Sequence, residues 1–268
     1  MMPYNKTTGA DQVKIKFLGT HNAESRNTKL VSFIIDDILA VDAGSLTSQL
    51  SFPEQDKIKA ILLSHGHYDH IRDVPAFIFN NSCRTNNVFA TSQTLEILSS
   101  HLVDGEIYPK FTEYTPICGK TSIKLITLEP YIPTTVEDYE VVALPVNHPL
   151  NAVGFQITSK DGKKVFYTGD TGPGLSTIWK QISPDTIIIE VTFPNQMEDI
   201  AKNSAHLCPK TLKKELQEFL QIKKYSPQII LIHLTPKYKK EIKEETKEIA
   251  EELKISIKIA NEGEEITI

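Results

Sequence analysis

The chain has 268 residues, 40% of them hydrophobic and 24% charged, a balance suited to a globular domain with a sizeable core. Its net charge of −5 leaves no global basic field to advertise nucleic acid as a partner. No apolar stretch approaches the ~20 residues needed to span a bilayer, and Met1–Gln12 lacks the basic-then-apolar pattern of a signal peptide.

In chain order, Val13–Leu18 alternates apolar and polar residues and predicts a strand with one buried face, ended by Gly19-Thr20. His21–Lys29 is polar and reads as a loop. Leu30–Ile35 and Ile38–Val41 predict a strand pair turning at Asp36-Asp37. Asp42 follows, where it can either hold the tautomer of a ligand histidine or cap a helix near Ser45. The apolar run Ala60–Leu63 reads as a buried strand. Val74–Phe79 predicts a helix with Pro75 in its first turn, Asn87–Ala90 a strand, and Ser92–Leu102 a helix. His101, in that helix, reads as solvated or packed rather than ligating. Glu106–Thr135, with four prolines, shows no clear elements and is a candidate for substrate-facing loops.

Val141–Val146 predicts a strand leading to His148, and Ala152–Ile157 pairs with Lys164–Tyr167 across Lys160-Asp161-Gly162. The glycine-rich loop Thr168–Gly174 matches no Walker spacing and reads as a tight turn presenting Asp170. Thr186–Ile189 is a buried strand delivering Glu190, and Ile229–Ile232 another delivering His233. Leu212, Leu216, Phe219 and Leu220 stripe a helix starting after Pro209. Tyr238, Ile242, Ile249 and Leu253 stripe a final helix whose Lys/Glu run reads as a solvated face. Short strands near Ile255–Ile259 and Ile266–Ile268 close the chain. Residues 1–12 read as a flexible leader and 1–268 as one domain. The widely spaced Cys83, Cys118 and Cys208 form no CxxC, which suggests free thiols in a reducing, cytoplasmic compartment.

The densest chemistry is Ser64-His65-Gly66-His67-Tyr68-Asp69-His70, directly after the apolar run. His65 and His67, two apart in extended backbone, point to one side and can share a metal ion. Asp69 and His70, after a turn, can serve a second. Single His or Asp residues also end three distant strands: His148, Asp170 and His233. Strands side by side in a sheet bring such termini to one edge. His65, His67 and His148 then complete one shell, Asp69, His70 and His233 the other, and Asp170 bridges both. Imidazole with carboxylate suits zinc, and also manganese or iron.

His65-x-His67-x-Asp69-His70 with His148, Asp170 and His233 resembles the metallo-β-lactamase-fold hydrolases over essentially the whole chain. The resemblance implies an α/β fold, a four-layer αββα sandwich with a dinuclear metal site at one sheet edge. Ile189-Glu190-Val191-Thr192-Phe193-Pro194-Asn195, Ala205-His206-Leu207-Cys208-Pro209 and Ile232-His233-Leu234-Thr235-Pro236 are similar to stretches of the class II cyclic-nucleotide phosphodiesterases. Asp73 and Ala205 stand where that family has glycine, Cys208 where it has threonine and Thr235 where it has lysine.

That likeness implies hydrolysis of 3′,5′-cyclic nucleotides such as cAMP or cGMP, small-molecule substrates, by attack of a hydroxide shared by two divalent cations. Asp69, His206 and Glu190 are then the catalytic side chains, with Glu190 orienting His206 as proton donor to the leaving oxygen. A homodimer is compatible with this reading. The nearest rival is a tRNA 3′-processing nuclease of the RNase Z type, which shares the ligands and a similar glutamate–histidine pair but usually carries a basic glycine-rich arm not seen in this sequence. A thioesterase or lactonase on the same scaffold is more distant, since its leaving group needs little proton donation.

Overall fold

The computed structural model describes residues 12–113, 119 and 121–268. The first half supplies β1 (Lys14–Gly19), β2 (Ser32–Ile35), β3 (Leu39–Val41), β4 (Ala60–Leu62), β5 (Asn86–Ala90) and β6 (Ile123–Thr127). The second supplies β7 (Thr134–Val136), β8 (Tyr139–Pro145), β9 (Val153–Ser159), β10 (Lys164–Tyr167), β11 (Thr186–Glu190), β12 (Gln228–Ile232), β13 (Ile257–Ile259) and β14 (Glu265–Thr267). They form two mixed seven-stranded sheets, ordered β14-β1-β2-β3-β4-β5-β6 and β13-β12-β11-β10-β9-β8-β7.

Side-chain alternation with period two explains the layering. Ile15, Phe17, Phe33, Leu62, Phe155, Val165, Tyr167, Ile188 and Ile230 meet in one core between the sheets. Their neighbours Ile34, Ile61 and Val88 turn outward beneath helices that bring Leu46, Phe77 and Leu98. On the far side Phe166, Ile187, Ile189 and Leu231 turn outward beneath Trp179, Leu212, Leu216 and Phe219. The result is an αββα sandwich. Strands β4, β11 and β12 lie inside it with parallel partners, so both faces are dry and no polar alternation shows in their sequence.

Several expectations are sharpened or corrected. The Glu106–Thr135 stretch contains β6 and β7; Lys124 and Thr127 of β6 are exposed and its interior residues only half-buried, which hid the alternation. Ser45 does precede a short helix, Leu46–Gln49, but its hydroxyl donates to the Leu30 carbonyl at 2.9 Å and the first-turn amide of Thr47 donates to Asp73 at 2.8 Å. Asp42 therefore serves a histidine and not a helix end. His101 ends the helix Ser92–His101 and is exposed. The free-thiol expectation fails at Cys83, which is disulfide-bonded, and holds at Cys208, free and buried. This removes the cysteine argument for a reducing compartment. Cys118 and residues 1–11 of the leader lie outside the described residues. No helix among the described residues is long and apolar enough to cross a membrane.

Candidate active site

One end of the sandwich collects the strand termini. β3 delivers Asp42, β4 the Ser64–His70 segment, β8 leads to His148, β10 to Asp170, β11 ends on Glu190 and β12 runs into His233. Sites at the carboxyl ends of parallel strands combine rigid placement with open loops. The short helix Tyr68–Ile71 turns Asp69 and His70 back toward the two leading histidines. Gly44 makes this possible: a Cβ there would stand 2.1 Å from the Asp69 carbonyl oxygen. His233 and Asp42 both hold left-handed backbone, φ 61° and 53°, a region where Asp and His are among the few tolerated side chains.

All seven sequence-predicted ligands converge. His67 Nδ1 lies 3.0 Å from His65 Nε2 and 3.1 Å from His148 Nε2, and His65 Nε2 lies 3.6 Å from Asp170 Oδ2. In the second group His70 Nε2 lies 3.3 Å from Asp170 Oδ1, and His233 Nε2 lies 3.2 Å from Asp170 Oδ2 and 3.3 Å from Asp69 Oδ2. Donors about 2.0–2.1 Å from a tetrahedral ion stand about 3.3 Å apart, so both groups have the span of a coordination shell. Asp170 belongs to both.

Hydrogen bonds behind the cluster fix which nitrogen is free in four of the five rings. Asp42, fully buried, accepts from the Ser64 amide (2.8 Å), the Ser64 hydroxyl (2.9 Å), the Tyr167 hydroxyl (2.6 Å) and His70 Nδ1 (2.7 Å). Since Ser64 gives its hydroxyl proton to Asp42, its oxygen accepts from His65 Nδ1 at 3.0 Å. Thr192 likewise gives its proton to Glu190 Oε2 (2.6 Å) and accepts from His233 Nδ1 (2.7 Å). His148 Nδ1 donates to the Ala205 carbonyl at 3.4 Å. The Nε2 atoms of His65, His70, His148 and His233 are thus lone pairs aimed into the cluster. His70 Nε2 and Asp170 Oδ1 are buried without a hydrogen-bond partner. A lone pair facing a carboxylate is unfavourable until a cation lies between them, so these residues fit divalent metal.

The electrostatics agree for His65, His67 and His148 and differ at His70. Burial, reinforced by neighbouring imidazoles, holds His65 well below its ordinary value, and burial also lowers His67 and His148, which keeps them neutral. Burial opposes charge on His70 too, but the Asp170, Asp42 and Asp69 carboxylates overcome it and lift His70 well above its ordinary value. There a proton and a metal ion compete for one lone pair.

Beside the cluster stands a second unit. Glu190, almost wholly buried, accepts from the Thr171 amide (2.8 Å), the Leu207 amide (3.2 Å), Thr192 and His206 Nδ1 (2.6 Å). His206 stacks on His233 with ring centroids 5.3 Å apart. Burial lowers the His206 pKa, but the Glu190 carboxylate outweighs it and raises the group to about 9. The Glu190 carboxylate thus favours the protonated form of His206, next to the candidate ligand groups.

The description Beta-lactamase superfamily domain matches residues 34–260. The chain belongs to this superfamily. Membership makes it a metal-dependent hydrolase of the metallo-β-lactamase fold, and its His/Asp groups are able to hold divalent ions. A superfamily relative, the 3′,5′-cyclic-nucleotide phosphodiesterase of Aliivibrio fischeri, is 26% identical over 197 residues, 67% of this chain and 58% of that protein. The chain thus spans under two thirds of that relative's length. Ribonuclease Z of Methanocaldococcus jannaschii is 24% identical over 292 residues, covering 85% of this chain and 88% of that one. Unliganded yeast PDE1 shares the fold with a TM-score of 0.83 at 17% identity, over 96% of this chain and 99% of that chain.

Sequence reasoning missed the supporting residues Ser64, Tyr167 and Thr192. Tyr167 carried a signal: it ends β10 with its side chain on the inner face, three residues before Asp170. Thr192 carried a weaker one, a hydroxyl two residues beyond Glu190.

Proposed function

We propose that the chain hydrolyses phosphodiesters, with 3′,5′-cyclic nucleotides as the substrate class, cleaving the bond from phosphorus to the 3′ oxygen to leave a 5′-nucleotide. His65, His67, His148 and Asp170 would hold one ion, and Asp69, His70, His233 and Asp170 a second. Zinc suits this donor set, with manganese or iron compatible. Two divalent ions so held supply Lewis acidity toward a phosphate and bring the pKa of water to about 7.

The observation that carries the reading is the Glu190–His206 pair beside the ligand groups. As water attacks phosphorus, the 3′ alkoxide departs and needs a proton. His206 supplies it from its free ring nitrogen while Nδ1 stays on Glu190, and the proton shed by water replenishes the solvent pool that recharges His206. Thr192 carries the same carboxylate's hold to His233, so proton donor and ligand are oriented by one residue. A thiolate leaving group would have no use for such a donor. Ligands arrive from both sheets, which supports reading 1–268 as a single functional domain.

The ribonuclease Z match, longer on both chains than the phosphodiesterase match, favours a second reading as a tRNA 3′-processing nuclease. Rates on cAMP, cGMP, bis(p-nitrophenyl) phosphate and a tRNA precursor decide. Turnover of the precursor alone would replace the first reading with the second, and turnover of none would remove both.

A further inference from the structure

We infer that Tyr68 is a stacking shelf for the planar base of the nucleotide, a specificity-determining residue; this rests on the cyclic-nucleotide reading above. The cleft over the ligand groups encloses about 550 Å³, and its walls include Asn22, Glu24, Leu30, Tyr68, Arg72 and His206. Tyr68 is 62% exposed, although it sits in sequence between two ligands whose positions are fixed. Among the described residues its hydroxyl has no hydrogen-bond partner and its ring no aromatic neighbour. The side chain therefore makes no hydrogen bond and no ring contact within the described fold. A large apolar ring left in solvent at the mouth of a cleft is the arrangement that a flat ligand can cover.

The loop carrying Asn22 and Glu24 lines the same cleft. Arg72, one turn along from Tyr68, donates through Nη1 to Glu24 Oε2 and through Nε to Asp73 Oδ1 at 2.9 Å. Asp73 in turn accepts from the amide and hydroxyl of Thr47, both at 2.8 Å. That loop is thereby tied to the element carrying Tyr68. With the phosphate held on the floor of ligand groups, the base of the same molecule lies against the ring. Every base has a π-face, so a shelf of this kind tolerates adenine and guanine alike.

Calorimetric titration of the metal-loaded protein with 5′-AMP and with inorganic phosphate tests this. Wild type should bind AMP more tightly than phosphate. Tyr68→Ala should weaken AMP about tenfold and leave phosphate unchanged, while Tyr68→Phe keeps wild-type AMP affinity, because stacking needs the ring and not the hydroxyl. A wild-type preference for AMP that survives intact in Tyr68→Ala would overturn the shelf and spare the nucleotide reading. Equal weakening of both ligands would also overturn the shelf, since the damage would then lie in the ligand floor. Wild type that binds AMP no better than phosphate would overturn the nucleotide reading and the shelf with it.

Discussion

Asp42→Asn tests the metal reading without reference to any substrate. The change conserves volume at a fully buried position and removes one charge. Asp42 Oδ1 accepts from the Ser64 amide, while Oδ2 accepts from Ser64 Oγ, Tyr167 Oη and His70 Nδ1. With the asparagine oxygen kept on the amide, its NH2 faces those three donors. Two of them are hydroxyls and can rotate to accept. The imidazole keeps its contact only by surrendering the Nδ1 proton, which then occupies Nε2, the atom 3.3 Å from Asp170. Loss of such an outer partner weakens metal binding about 10–100-fold, or about 1.4–2.7 kcal/mol. With an unfolding entropy of about 2.1 cal/mol/K per residue, a 268-residue chain should lose about 2.5–5 °C of its metal-dependent gain in Tm. Elemental analysis along a chelator titration, with calorimetry at each end, reads both quantities. Wild-type metal retention by the variant at every chelator concentration would refute the tautomer argument.

His206→Ala should lower kcat by about 10²–10⁴ with metal content unchanged; undiminished turnover would remove His206 from the chemistry. Because its pKa is raised to about 9, His206 is protonated below that pH, so kcat should fall as pH rises through about 9. Glu190→Gln removes the anion responsible and should move that limb toward lower pH in a pH–rate profile. Ligand imidazoles must be neutral to bind, so metal content measured after gel filtration should fall as the pH is lowered. Ala205 holds φ 52°, a conformation costing a side chain about 1–2 kcal/mol. Ala205→Gly should stabilise the protein by about 0.5–1 kcal/mol in denaturant titrations, once the extra freedom of the unfolded chain is subtracted.

The candidate ligand set was legible because each strand and the candidate ligand that ends it are adjacent in sequence. Ala60–Leu63 announces a buried strand, and His65 follows at once; Ile229–Ile232 does the same for His233. Glu190 and His206 were legible through a family likeness, and they stand 2.6 Å apart. What sequence could not yield was mostly second-layer. The choice between capping and histidine support at Asp42 depends on His70, 28 residues away, and on Tyr167, 125 residues away. Local pattern carries no trace of such contacts. β6 stayed hidden for a different reason: an edge strand with exposed and half-buried residues lacks the contrast that alternation needs. Cys83 shows that cysteine spacing alone says little about bonding partners.

At the ligand end the two layers of the sandwich are tied by polar contacts as well as apolar ones, with Tyr167 from one layer reaching Asp42 of the other and its ring edge-on to Phe33 at 5.2 Å. Sliding one layer past the other by roughly half an ångström would alter every gap between the His148–Asp170–His233 half and the His65–His70 half together. The interlayer apolar residues therefore act as a calibration device, remote in position and immediate in effect. Efforts to retarget such an enzyme should leave that seam alone and vary the outer wall around Asn22 and Glu24.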